Sequence, residues 1–320
     1  MKRPSLTIVV NTVGRLDCLP LSLGSIAGEM RGREGVEFVL VDNSPDGRVA
    51  PLFQEWKDRF PRAVYEREPV MGMIPARNAG IRAARNDVVA YVDDDAMVHP
   101  GWMDGLLSAY ERFWDGEAPI VVGGPVTLKY PDGLQRPEWL SPTLENWLTR
   151  LDWGVEDRRL NHPAECLVGA NFSAPRSTLA RFGGFVDLGL NYCDERLIEH
   201  LVLGSGGSVV YAARAHVDHL VGAGRLTPAW FVNRYRTEGL CRQRMLQHLK
   251  PRSRPSLAFR ATAFTARMLM AQLRGRFLAS GAALRLEAEC QAGYARGCIE
   301  ATWNLLTSPS PTPSRHPAGA

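Results

Sequence analysis

Within the first 95 residues, four short apolar runs alternate with segments patterned as helices. The runs are Leu6-Thr7-Ile8-Val9-Val10, Val36-Glu37-Phe38-Val39-Leu40-Val41, Ala63-Val64-Tyr65-Glu66 and Val88-Val89-Ala90-Tyr91-Val92. Such β-branched runs, bounded by turn residues, read as strands. Helices are expected over residues 16–30, 52–60 and 73–85. This alternation predicts an α/β fold with a mostly parallel central sheet flanked by helices. The fourth run closes on three aspartates, Asp93-Asp94-Asp95. Adjacent carboxylates repel one another and lose hydration unless a cation neutralises them. Ligands of open α/β sheets bind outside the carboxyl ends of strands. A hard-metal site is therefore expected there. Three acids after a strand would, by themselves, read as a solvated loop; the rest of the chain argues against that.

Ile120-Val121-Val122 leads to Gly123-Gly124-Pro125, where the glycines suit close backbone approach near a bound ligand. A loop-rich stretch follows over residues 129–165, carrying Trp139, Trp147 and Trp153. Loops of this length in compact domains are usually functional or disordered, and three Trp argue against disorder. Those Trp suit either stacking on sugar rings or packing the loop onto the core. Residues 168–173 return to regular structure. Short helices are expected over 176–181, ending at Gly183-Gly184, and over 194–204, and Ser208-Val209-Val210-Tyr211 is expected as the final strand. From Pro228 onward the pattern is helical, with a break between Pro251 and Pro255. Arg260, Arg267 and Arg274 recur every seven residues, with Phe264, Met268, Ala271 and Phe277 among the apolar positions. This is the pattern of an amphipathic basic helix. The expected division is a catalytic domain over 1–225 (nucleotide-binding half 1–125, acceptor half 126–225), a helical extension over 226–305 and a disordered Pro/Ser-rich tail over 306–320.

Charge is split along the chain. Residues 1–224 hold 23 Lys and Arg against 30 Asp and Glu, a net of −7, whereas residues 225–320 hold 15 against 4, a net of +11. The basic part suits a solvated helical face, phosphate-bearing ligands, peripheral contact with an anionic membrane, or self-association. No uncharged apolar stretch approaches the ~20 residues needed to span a bilayer. The start, Met1-Lys2-Arg3-Pro4, lacks a signal-peptide pattern. Cys18, Cys166, Cys193, Cys241, Cys290 and Cys298 are scattered without a Cys-x-x-Cys pair, so reduced thiols and a cytoplasmic location are expected. Abundant Ala, Arg, Gly and Pro fit a high-GC bacterial source. No part of the chain suggests a nucleic-acid partner.

The chemistry-bearing residues follow strands or open helices. Asp42 ends the second run, Arg77-Asn78 sits near a helix start after Gly72, and Asp194-Glu195 opens a late helix. Ala215-His216-Val217-Asp218-His219 follows the last expected strand. If the strands are parallel, these groups converge on one crevice holding carboxylates, an imidazole and an arginine. Asp with His suits Mg²⁺ or Mn²⁺ and tilts toward Mn²⁺, and such a metal binds together with substrate phosphates.

At these residues the chain resembles the inverting, GT-A-fold glycosyltransferases of family 2. The matching pieces are Thr7 to Thr12 with Arg15, Glu37 to Ser44, Ala76-Arg77-Asn78-Ala79-Gly80, Asp87 through Asp95 with its Asp-x-Asp motif, Gly169-Ala170-Asn171, Gly183-Gly184-Phe185, an acidic pair and a closing His. They span about residues 5–245. The resemblance implies a GT-A fold and transfer of one sugar from a nucleoside-diphosphate sugar, with UDP as the expected nucleotide. The implied acceptor is a hydroxyl of a small molecule, a glycan or a lipid-linked sugar.

Position by position, the resemblance implies that Asp42 hydrogen-bonds the base while Thr12 and Arg15 line the nucleotide pocket. Asp93 would meet the ribose or the metal, Asp95 the metal, and Asp94 the donor. His219 would be a third metal or phosphate contact; His216 is its rival, but the Ala-x-Val-x-His spacing favours His219. Arg77 would add positive charge at the diphosphate, and Asn171 would face the donor sugar or hold a turn. The family's base lies in a Glu-Asp pair, whereas this chain reads Asp194-Glu195. Glu195 takes the base position with Asp194 as the alternative, and helix capping is the plainer role of the pair. A nucleotidyltransferase would need a Gly-rich basic loop after the first strand, where this chain has only Gly14 and Arg15. A non-catalytic sugar-nucleotide or carbohydrate-binding relative would be consistent with the reversed acidic pair.

Overall fold

The computed structural model describes residues 3–162, 164–189 and 193–307. It divides into two compact units, Met1–Arg136 with Glu145–Ala223, and Pro137–Leu144 with Gly224–Ala320. The disorder expected for the tail falls on residues 308–320, which lie outside the described residues; 306 and 307 close the last helix.

The first unit is built on an eight-stranded sheet. Its strands are β1 (Leu6–Thr12), β2 (Val36–Asp42), β3 (Ala63–Arg67), β4 (Val88–Asp93), β6 (Ile120–Gly123), β8 (Arg158–Arg159), β9 (Asn171–Pro175) and β10 (Ser208–Tyr211), in the order β3-β2-β1-β4-β9-β6-β10-β8. β3, β2, β1 and β4 run parallel; β9 is antiparallel to both β4 and β6, and β8 is antiparallel to β10. Every residue of β2 is buried, including Glu37 and Asp42, as in a strand covered on both faces. Helices α1 (Leu19–Met30), α2 (Ala50–Trp56), α3 (Met73–Ala83), α4 (Trp102–Phe113), α6 (Arg176–Arg181) and α7 (Asp194–Gly204) accompany the sheet. A single helical turn, α5 (Pro142–Glu145), falls between α4 and α6 in the chain.

A second, three-stranded sheet is formed by β5 (Ala96–Val98), β11 (Val217–Leu220) and β7 (Val126–Lys129), in the order β5-β11-β7. The expected last strand, β10, is thus followed by a further one, β11, and His219 lies within it. β5, β7, β8 and α4 are likewise additions to the elements expected from the sequence. β5, β7 and β11 have three or four residues each, too few to show an alternation. α4 carries a buried stripe of Trp102, Met103, Leu106, Leu107, Ala109 and Tyr110.

The paired glycines meet the protein's own backbone. A Cβ on Gly123 would collide with the Asn171 carbonyl oxygen, and one on Gly124 with that of Ala215. Trp153 packs its loop onto the core and donates its indole N–H to the Cys166 carbonyl at 3.0 Å.

In the second unit, α8 (Pro228–Leu249), α9 (Arg254–Leu273) and α10 (Ala282–Thr307) pack with one another. Thr227 caps α8 by accepting the Trp230 N–H, with Pro228 at the first helical position. Gly239, Gly293 and Gly297 let α8 and α10 approach closely: a Cβ on Gly297 would collide with the Arg236 carbonyl oxygen. Trp139, also in this unit, meets the Phe231 ring edge-on at 5.7 Å. Among the described residues no helix is long and apolar enough to cross a membrane.

Candidate active site

Parallel register carries Thr12, Asp42 and Asp93 to the same end of the sheet: Thr12 pairs with Asp42, and Asn11 with both Val41 and Asp93. β11 then delivers His219 opposite Ala96, the residue after Asp95. One ligand atom each from Asp93, Asp95 and His219 lies within 4.8 Å of the others, and His219 Nε2 is 3.3 Å from Asp95 Oδ1. His219 and Asp95 are buried.

Asp94 points toward Thr12, whose hydroxyl donates to its Oδ2 at 2.6 Å. Arg15 grips the same carboxylate through Nη2 and Nε and donates to Asp95 Oδ2 through Nη1 at 2.5 Å. Burial pushes the Asp94 carboxyl up to about 6, against the pull of Arg15 and Thr12. Two adjacent buried acids with a half-exposed arginine across them form a site that favours positive charge. Carboxylate and imidazole donors fit Mn²⁺ or Mg²⁺. Among the described residues, His219 Nδ1 is buried without a hydrogen-bond partner.

His216, the rival, is separated from this cluster by strand geometry. Three residues before His219, it sits on the opposite face of the small sheet. There its ring stacks on His99 with centroids 4.0 Å apart, and its Nε2 lies 2.6 Å from the Thr127 hydroxyl. His99 Nε2 contacts Asp218 at 2.9 Å.

Asp42 ends β2 fully buried. Its Oδ1 accepts the Ser44 N–H at 2.8 Å, and its Oδ2 accepts the Tyr65 hydroxyl at 2.6 Å. Burial, then the Asp42 carboxylate, pushes the Tyr65 phenol up to about 12, so it remains a donor. Tyr65 is a site neighbour absent from the sequence-based expectations, since an aromatic residue in a strand is unremarkable by pattern alone. Asn43 shapes the next loop, donating to the Glu68 and Val70 carbonyls and accepting the Gly72 N–H.

A second acid–arginine cluster lies at the start of α7. Arg77, from α3, is buried and donates through Nη1 to Asp194 and, at 3.4 Å, to Glu195. Its guanidinium carbon lies 5.2 Å from the Phe185 ring centroid, and a Cβ on Gly169 would collide with its Nη2. Burial pushes the Asp194 carboxyl well above the usual carboxylate range; Arg77 pulls it back and Glu195 pushes it up. Asp194 is sequestered with its side chain 1% exposed, whereas Glu195 keeps 18%. The family-like motifs therefore interlock physically. Asn78 donates to the Phe185 carbonyl and accepts its N–H, both at 2.9 Å, and Gly184 adopts φ +79°, leaving no room for a Cβ beside Asn78 Oδ1.

Asn171 is committed to the scaffold. Its Oδ1 accepts the Trp102 indole N–H at 3.0 Å, and its Nδ2 donates to the carbonyls of Ala215 at 2.6 Å and Pro125 at 3.3 Å.

The family pattern described as "Glycosyl transferase family 2" matches residues 7–181, so the chain belongs to glycosyl transferase family 2. It is a glycosyltransferase with the GT-A fold of nucleotide-sugar transferases. It is 25% identical to a glucosyl-dolichyl phosphate glucuronosyltransferase of Haloferax volcanii over 222 residues, 66% of this chain and 68% of that protein. It is 26% identical to a validoxylamine A glucosyltransferase of Streptomyces hygroscopicus over 120 residues, 37% of this chain and 28% of that one. Among solved structures it superposes on mannosyltransferase PcManGT from Pyrobaculum calidifontis, in complex with GDP-Man and Mn²⁺. That match has a TM-score of 0.59 at 18% identity and covers 95% of this chain and 88% of the other.

Proposed function

We propose that this glycosyltransferase moves one sugar from a nucleoside-diphosphate sugar, UDP-linked, to an acceptor hydroxyl by metal-dependent direct displacement with inversion. The convergence of Asp93, Asp95 and His219 within one ligand shell carries this reading. Mn²⁺ or Mg²⁺ held there would neutralise charge on the departing diphosphate. Asp42 accepts an N–H from the base, and Arg15 and Thr12 complete the nucleotide pocket. Glu195 takes the proton from the acceptor hydroxyl as its oxygen bonds to the anomeric carbon and the nucleoside diphosphate leaves. Glu195 is favoured over Asp194 because it is the more accessible of the two and is held by the same arginine. Asp194 and Arg77 act as positioning residues.

The acceptor is a hydroxyl of a small molecule, a glycan or a lipid-linked sugar. The relatives' names span both a dolichyl-phosphate-linked acceptor and a small-molecule one.

The test is nucleoside-diphosphate release across a panel of UDP- and GDP-sugars with Mn²⁺, Mg²⁺ or EDTA, with the product anomer assigned by NMR. The expected result is metal-dependent turnover, abolished in Asp95→Ala and lowered roughly 10²–10⁴-fold in Glu195→Gln. Turnover unaffected by EDTA, or a retained anomeric configuration, would overturn the mechanism. No turnover with any donor would instead favour a non-catalytic binder.

A further inference from the structure

Helix α9 carries two apolar stripes. Leu257, Ala261, Phe264, Met268 and Ala271 recur at alternating spacings of four and three. Leu257 and Phe264 are buried and the other three are half-buried. Gly275 continues this seam, and a Cβ there would lie 3.1 Å from the Cβ of Ala288 on α10. This side is the one that packs within the helical unit. Phe259, Ala263, Ala266, Met270, Leu273 and Phe277 recur with the same spacing, offset by two residues. Two residues turn an α-helix by about 200°, so this second stripe faces away from the first. It is exposed, with Phe259 at 75%, Met270 at 65%, Leu273 at 56% and Phe277 at 70%. Leu278 beside it is 79% exposed. A contiguous exposed apolar surface of this kind marks an interaction site.

Charge identifies the partner. From Arg252 to Leu286 the chain has seven arginines and no Asp or Glu. Arg267, Arg274 and Arg276 are exposed along the helix and the π-helical turn Arg274–Leu278 that continues it. An apolar stripe flanked by arginines is the composition of a helix lying in a membrane interface. There the stripe enters the acyl boundary and the guanidiniums meet anionic headgroups. Pairing of α9 with α9 of a second copy would set arginines against arginines with no acid to offset them, and like charges along paired helices are destabilising.

We propose that the exposed face of α9 docks this enzyme onto an anionic lipid surface, as a peripheral contact rather than a span. This inference is independent of the donor chemistry, so either can fail without the other.

Flotation of the full chain with phosphatidylcholine vesicles, with and without phosphatidylglycerol, tests it, alongside the solution mass with no lipid. Wild type should float only with the anionic vesicles, and less so as salt rises. Phe259→Ser/Met270→Ser/Phe277→Ser should abolish flotation while leaving donor turnover in solution unchanged. Arg267→Gln/Arg274→Gln/Arg276→Gln, which leaves the apolar stripe intact, should weaken partitioning by roughly fivefold per arginine. Equal flotation with neutral and anionic vesicles would overturn the proposal. So would no flotation at all, or a wild-type dimer that the apolar variant turns into a monomer while its flotation persists.

Discussion

The site contains two acid–arginine clusters built from the same parts, whose arginines differ in exposure. Arg15 bridges Asp94 and Asp95 with its side chain 40% exposed, whereas Arg77 bridges Asp194 and Glu195 at 4%. Among the described residues the Arg15 side chain hydrogen-bonds Asp94 and Asp95, so under the proposed function it would yield to a metal and a diphosphate. The buried Arg77 is fixed by Phe185, by Gly169 and by the loss of hydration that either partner would suffer alone. Under the proposed function, Arg15 would serve as an exchangeable counter-charge and Arg77 as a permanent brace for Asp194 and Glu195.

Removing each arginine tests that contrast most severely. Arg77→Met should destabilise the fold by about 3–5 kcal/mol, because it strands a buried carboxylate. Arg15→Met should cost less than that, because Asp94 keeps the Thr12 hydroxyl and its carboxyl, already raised to about 6, can take up a proton in the arginine's absence. Urea unfolding of both variants measures the difference, and equal losses would erase the distinction between brace and counter-charge.

A pH series sharpens the picture of the buried cluster. Glu199, one turn beyond Glu195, is buried with Oε1 accepting the Leu167 N–H at 2.8 Å, and burial pushes its carboxyl up to about 8. The folded protein therefore holds a proton that the unfolded chain releases near its ordinary value of 4.5. The stability it contributes is complete below about pH 4.5 and is lost progressively as pH rises through about 8. Glu199→Gln keeps the acceptor without the charge. Its stability should exceed that of wild type by an amount that grows from acid to mildly alkaline pH, reaching on the order of a few kcal/mol. A pH-independent difference between the two proteins would sink the argument.

The smallest expected effect is on ligand affinity at the exposed cluster. Arg15→Gln removes the competitor for Asp94 and Asp95, so Mn²⁺ alone should bind several-fold more tightly while KM for the donor rises by about tenfold, one lost charged contact. Calorimetry with Mn²⁺ and donor titrations read the two changes separately; a parallel loss of both would make Arg15 a structural residue only.

The acidic strand ends were legible in the sequence because their signals are local. A β-branched run fixes where a strand ends, and the aspartates at that end fix where a cation is wanted. Asp42, Asp93 and Asp95 therefore stand out in the chain itself, each at or just past the end of an apolar run. Long helices such as α8 and α9 declare themselves by length and periodicity. β5, β7 and β11 do not: unlike the comparably short β6 and β10, they hold no two consecutive Val or Ile residues, and they take their conformation from partners distant in sequence.

By itself, the sequence determined the α/β framework, the acidic strand end and the charge split between the two parts of the chain. The Ala-x-Val-x-His spacing favoured His219 over His216, but only tertiary structure brings it to the acids. Side chains alternate across a strand, so Asp218 and His219 point to opposite faces, and pairing of β11 with β5 selects His219. It also decided that Arg77 turns to Asp194 and Glu195 and that Asn171 braces the backbone. On α9, it decided which of two equally spaced apolar stripes is buried and which remains open. Spacing gives a helix its stripes, but only packing chooses between them.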